Sequence, residues 1–266
     1  MTRTPLRAAI VAALAGTAAI ASSPALAQTG TPIPVTTLTP GTLTICTYPG
    51  FAPFTSFTSS GAWVGWDASF LTRFATQQGL AVKTVSVDPF DGMWKRPGED
   101  QCDIAAAGIG NEPARRAQSP GTTWSITYYE VIRAFAVRKG STLTGPQDLA
   151  GKTVIVTKDS TADQDIQQQI RQHHVKNVTV RYTDNEGAAV KMVSRGKVFA
   201  YGGGLGSIQY QAKRFTNIRV AWPHRILLPN GKRGTEPFSY PVRTADTGLI
   251  EALNAFIAAN KASYGK

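Results

Sequence analysis

From Gly41 onward the apolar and polar positions switch between two periodicities. Short apolar runs at Leu43–Thr47, Ala81–Val87, Asp103–Ala107 and Val131–Val137 have the length and composition of strands, and Ala68–Gln78 between them repeats at the helical period. That β-α-β rhythm predicts a mostly parallel sheet. After the turn at Lys139-Gly140 a second cycle begins, with strands at Lys152–Val156, Val178–Tyr182 and Val198–Tyr201 and helices at Thr161–Gln172 and Ala188–Ser194. The last periodic segment, Leu249–Asn260, carries Leu249, Leu253, Phe256 and Ile257 on one helical face. Two α/β lobes are therefore expected, with a ligand cleft beyond the carboxyl ends of their strands.

The N-terminus follows a different pattern. Arg3 and Arg7 precede an Ala-rich apolar run from Ala8 to about Ile20, and Ala25-Leu26-Ala27 stands before Gln28. This predicts a secretory signal peptide over 1–27, cut after Ala27, and a periplasmic address. The apolar run is too short to span a bilayer comfortably. Gln28, not Cys, follows the cut, so lipid anchoring at that residue is excluded. Residues 28–40 are rich in Thr, Pro and Gly and read as a flexible leader.

Loss of Arg3 and Arg7 lowers the net charge from +11 to +9. That balance favours acidic ligands or anionic surfaces, but Lys and Arg are scattered singly or in pairs without the basic run that nucleic-acid binding would require, and most of them read as a solvated basic surface. With His173, His174 and His224 as the only histidines, no metal site is expected. No cofactor is expected either. The two cysteines, Cys46 and Cys102, form an even pair in an oxidising compartment and suggest a disulfide, the alternative being two buried thiols.

The most informative side chain is Arg115. It follows the apolar run Cys102–Gly110 and the helix start Asn111-Glu112-Pro113. Bare backbone at Gly108 and Gly110 and a guanidinium beside a cleft suit a carboxylate, the alternative being a surface salt bridge. Arg116 points elsewhere on the helix. The run Tyr201–Ser207 fits neither a phosphate loop nor a dinucleotide fingerprint and reads as a flexible loop lining the cleft. Trp66 reads as core and Asp67 as a helix cap.

Taken in order, Leu43-Thr44-Ile45-Cys46, Phe51-Ala52-Pro53-Phe54, Gly65-Trp66-Asp67, Asp88-Pro89-Phe90-Asp91-Gly92, Asp103 through Arg115, Tyr128-Tyr129, Gly151-Lys152 and Ser160-Thr161 resemble the periplasmic solute-binding proteins of family 3. These are the type II periplasmic-binding-protein fold of polar amino-acid ABC importers. The resemblance implies a two-lobed α/β fold with a hinge and an interlobe cleft: lobe 1 at 41–129 and 224–266, lobe 2 at 130–223. Crossings would fall near Tyr129–Val131 and Trp222–His224. It implies a monomer that captures a small carboxylate ligand and hands it to a membrane ABC permease.

By the same resemblance Arg115 grips the ligand carboxylate, with main-chain donors at Gly108 and Gly110. Thr161 supplies a lobe-2 amide, while Thr161-Ala162-Asp163-Gln164 also fits a capping box. Phe51 and Phe90 flank the ligand or pack in the core. Tyr48 and Gly204 occupy the positions where the family holds an α-ammonium with acids. A buried ammonium without an acid costs at least a few kcal/mol. The expected ligand is therefore a small carboxylate that lacks an α-ammonium or holds it otherwise. Some members of this fold dehydrate prephenate or arogenate, for which Asp163 would be the acid. The cysteine placement also looks like that of accessory binding proteins of periplasmic quinoprotein dehydrogenases.

Overall fold

The computed structural model describes Met1, residues 33–228 and residues 230–266. The expected signal peptide and its cut lie outside the described residues. Among those described, no helix is long and apolar enough to cross a membrane.

The first sheet is built from β1 (Thr42–Thr47), β2 (Ala81–Ser86), β3 (Ile104–Ala106) and β4 (Thr122–Trp124). β1 pairs in parallel with β2 on one side and β3 on the other, which explains why it is buried from Leu43 to Thr47. Helix α1 (Trp66–Gln77) buries Phe70, Leu71, Phe74 and Ala75 on one face, and α2 (Pro113–Ala117) follows β3.

The chain then passes through β5 (Tyr129–Val131) into the second sheet. That sheet holds β6 (Arg133–Arg138), β7 (Thr153–Thr157), β8 (Thr179–Thr183), β9 (Ala200–Gly204) and β10 (Ile218–His224). Its helices are α3 (Thr161–Gln172), α4 (Glu186–Ser194) and α5 (Leu205–Arg214). The return runs through β11 (Glu236–Phe238) and β12 (Pro241–Arg243) to α6 (Leu249–Asn260). β12 enters the first sheet antiparallel to β3 and β4.

The strand orders are β2-β1-β3-β12-β4 and β8-β7-β9-β6-β10, the same pattern of three parallel strands, one antiparallel strand and an edge. Helix α6 buries Leu249, Leu253, Phe256 and Ile257, the face expected from the pattern, and Phe256 packs edge-on against Phe70 of α1 at 4.9 Å.

Several expectations need correction. Trp222–His224, read as the second crossing, is the end of β10, where His224 pairs with Arg133. The segment that pairs with the first crossing is Glu236–Phe238, antiparallel to Tyr129–Val131.

Tyr201–Ser207 is not a loop: its first half is central strand β9 and its second half opens α5. A Cβ at Gly202 would lie 2.8 Å from the Phe135 ring and 3.2 Å from Val156. These glycines therefore serve close packing inside a sheet rather than flexibility.

The leader is also not free over its described part. Val35 packs on the first core, the Thr36 amide donates to the Thr247 carbonyl at 3.1 Å, and the Leu38 amide donates to Asp103 at 2.6 Å.

Asp67 is inside α1, whose N-cap is Gly65, and its buried carboxylate accepts from Tyr240, Tyr264 and the Gly108 amide. Burial pushes this carboxyl up to about 6, against the lowering effect of those bonds. Trp66 is only partly buried, packed against the first core.

Cys46 of β1 and Cys102, just before β3, are joined in a disulfide across neighbouring strands, with Cα atoms 5.7 Å apart. The bridge closes a segment of 56 residues in sequence separation, for which loop-closure entropy gives about 4 kcal/mol. The Cys46→Ser, Cys102→Ser double variant should lose stability on that scale in urea unfolding. Gly202→Val should cost about 1–3 kcal/mol through the clash with Phe135 and Val156.

Candidate functional site

Where the two sheets face each other, a cavity is lined from the first side by Tyr48, Phe51, Phe90, Gly108 and Arg115 and from the second by Arg133, Thr157, Ser160–Ala162, Glu186, Tyr201 and Gly203–Gly204. Phe238, on the returning strand, completes it. About 40 Å³ is open to the centres of water-sized spheres, compared with the ~10–15 Å³ that one water needs. That is room for a few waters in this arrangement of the two sheets.

Arg115 also borders a larger opening of about 600 Å³, so it lines both spaces. It is 3 % exposed. Pro113 starts α2 two residues before Arg115, and Phe90 and Trp94 from the preceding segment cover the guanidinium. One guanidinium nitrogen donates to the Gly110 carbonyl at 3.3 Å and the other to the Asp159 carbonyl on the opposite side of the cleft at 3.0 Å.

The guanidinium lies over Trp94 at 4.5 Å and Phe90 at 5.6 Å. Among the described residues no carboxylate forms an ion pair with it. Burial therefore lowers its pKa, and only the more distant charges of Glu112, Asp91 and Asp159 oppose that. Arg116 instead bonds Asn111.

The other sequence candidates divide. Tyr48, Phe51, Phe90, Gly108, Thr161 and Gly204 all line the cavity. Gly108 has φ +57°, and a Cβ there would lie 2.5 Å from the Phe51 ring. Only glycine lets Phe51 close over this point.

Gly110 is not on the lining: it forms a β-bridge with Phe238 and turns its carbonyl to Arg115. Thr161 is the first residue of α3 rather than its cap, because Ser160 accepts from the Asp163 amide. The Thr161 hydroxyl instead accepts from Arg133. Tyr48 spends its hydroxyl on the Asp184 carbonyl across the cleft.

Three charged residues were missed by the sequence reading. Arg133 opens β6, is 4 % exposed, and is ion-paired with Glu236 of β11, itself fully buried. Burial lowers the Arg133 pKa to about 10, partly offset by the charges of Asp165 and Glu112.

Glu186, the first residue of α4, is 3 % exposed and accepts from the Tyr201 hydroxyl. Burial pushes its carboxyl up to about 8, although the bond from Tyr201 pulls the other way. A lone arginine inside the apolar run Val131–Val137 was the available signal for Arg133. Glu186 had none, since an acid behind an Asn cap reads as dipole decoration.

These features agree with the comparisons. The family model described as bacterial extracellular solute-binding proteins, family 3, matches residues 43–265. A solved ancestral arginine-binding protein bound to arginine is 25 % identical, with TM-score 0.71 over 84 % of this chain and 93 % of that one. An ancestral amino acid-binding protein described as a precursor of cyclohexadienyl dehydratase shares the fold at 20 % identity, TM-score 0.70, over 85 % of this chain and 96 % of that one.

Among curated proteins, the membrane-bound lytic murein transglycosylase F of Pseudomonas fluorescens (strain Pf0-1) is 27 % identical over 177 residues, which are 64 % of this chain and 35 % of the relative. That of Ectopseudomonas mendocina (strain ymp) is 32 % identical over 111 residues, 41 % of this chain and 22 % of the relative. The chain thus spans about a third or less of the length of these relatives. With two sheets of matching strand order, joined where β5 and β11 pair, and a family model that matches residues 43–265, the chain belongs to the bacterial extracellular solute-binding proteins, family 3.

Proposed function

We propose that this protein captures a small carboxylate-bearing solute in the periplasm and presents it to a membrane ABC permease. The observation that carries this reading is Arg115: a cation withdrawn from water, stacked on Trp94 and Phe90, without a carboxylate of its own among the described residues, on the lining of the cavity. Its planar fork can turn from backbone carbonyls to a carboxylate, a stronger, charge-assisted partner.

The start of α3 supports the same end of the ligand from the other side. Ser160, Thr161 and Ala162 line the cavity there, and a helix N-terminus favours an anion. Arg115 already bonds the Asp159 carbonyl across the cleft, so a carboxylate bound at this point would bear on both sheets and favour the closed arrangement. The buried Arg115 also separates the chain from the accessory-protein reading, in which the cleft would have no use for an anion grip.

Dehydratase chemistry would need a proton donor inside the cavity. Asp163, the acid expected from the sequence, lines only the outer opening, where it accepts from Gln167 and the Asp159 amide, whereas Glu186 lines the cavity itself with its carboxyl pushed up to about 8. Incubation with prephenate, followed by product absorbance, separates the two readings: capture without chemistry gives no turnover.

Native mass spectrometry of the purified protein, followed by calorimetry with the solute found, tests the main reading. Arg115→Ala should weaken binding at least about 30-fold, the scale for truncating one partner of a buried charge pair. Unchanged affinity in that variant would refute the anchoring role.

A further inference from the structure

The strands of the second sheet have two ends, and only one of them serves the cavity. Thr157 and Gly204, the last residues of β7 and β9, line it. At the opposite end, where β6 finishes against the start of β9, lies a separate hollow of about 320 Å³. Its lining includes Arg138, Ser141, Lys152, Lys197, Gly151 and Gly196, and no acid. Among the described residues none of the three cations forms an ion pair.

The surroundings are just as one-sided. The stretches 138–152, 173–178, 195–199 and 214–219 are tied together at this end: the Gly151 amide donates to the Lys176 carbonyl, that of Phe199 to Thr153 and that of Lys139 to Asn217. They hold eight Lys and Arg against a single acid, Asp148. Its carboxylate is spent locally, accepting from the Thr144 amide at 2.7 Å and the Thr144 hydroxyl at 2.9 Å. Neighbouring like charges repel, and an anion held among them removes that repulsion.

Two of the three cations are set in place by the fold. The Arg138 guanidinium lies against Gly196, where φ is +70° and a Cβ would come within 2.9 Å of its nitrogen. The Lys152 ammonium stands over the Phe199 ring at 5.5 Å. Side chains positioned in advance lose less freedom when a ligand arrives.

We propose that this hollow is a second binding site, separate from the cleft, that takes a phosphate group, either free or at the head of an anionic lipid. The planar fork of Arg138 matches two phosphate oxygens, and Lys152 and Lys197 add point charges. The exposed cations around the hollow extend the same complementarity to a surface that carries many phosphates. None of these residues lines the cavity, so the site stands or falls independently of Arg115 and its carboxylate.

The test titrates the intact protein with inorganic phosphate at low ionic strength and follows its backbone amide NMR signals. The signals of Gly151, Gly196 and Lys197 should move saturably, with an affinity distinct from any change at Gly108 and Gly204 in the cleft. Arg138→Gln and Lys197→Gln, each checked for folding by circular dichroism, should weaken binding about fivefold, the scale of one cation beside an anionic surface. Lys83→Gln, which removes an exposed cation from the first sheet, should leave it unchanged.

Sedimentation with mixed phosphatidylglycerol–phosphatidylcholine vesicles, against phosphatidylcholine alone, separates the two sources. Retention by the mixed vesicles that Lys197→Gln weakens and Lys83→Gln does not assigns the phosphate to a lipid headgroup. A response to inorganic phosphate without vesicle retention assigns it to a soluble phosphate. Unmoved amides at the hollow together with no vesicle retention, or equal losses in Lys83→Gln and Lys197→Gln, would overturn the proposal.

Discussion

The structure depends on how charge is withdrawn from water where its two sheets meet. Arg115, Arg133, Glu186 and Glu236 are all nearly or wholly buried there, although a charge in a low-dielectric site is strongly unfavourable without a partner. Arg133 and Glu236 neutralise each other, and they do so across the hinge, since one opens β6 and the other opens β11. That pair ties the second sheet to the returning strand beside the cavity. Arg115 and Glu186 are treated differently: the first is solvated by carbonyls and aromatic faces, the second is held near neutrality by burial. Polar capacity unspent by the fold is thereby concentrated in one small cavity.

The surrounding packing supports that concentration. β5 and β11 pair side by side, so both crossings between the sheets form one ribbon and can bend together. Gly108 lets Phe51 close over the cavity, and Gly202 lets Phe135 pack under β9. Asp67 ties α1, Tyr240 and Tyr264 to the Gly108 amide, which couples the C-terminal end of the chain to the cavity wall. The disulfide pins β1 to the entry of β3, the strand that leads to Gly108 and Arg115.

Elements with a clear period were legible in the sequence. The continuous apolar runs of β1 and β7, the two-sided pattern of α1 and the stripe of α6 all follow from which faces a parallel sheet and its covering helices must bury. The glycine run at Tyr201–Ser207 was misread because glycine carries no periodic signal, and its conformation is set by the rings packed against it. The leader was misread for a related reason. Its attachment depends on Asp103, whose carboxylate accepts from both Leu38 and Thr44, and no local pattern announces that pairing.

By itself the sequence determined the fold class, the two β-α-β cycles, the cysteine pair and the place of Arg115, because each depends on neighbours close along the chain or on a motif of fixed spacing. Only the tertiary structure decided which charges share the cavity. Arg133 meets Glu236 across about a hundred residues, and Glu186 meets Tyr201 from a neighbouring strand. Those encounters depend on strand order, on how helix α4 packs beside β9 and on the cost of desolvation, none of which a local pattern in the sequence expresses.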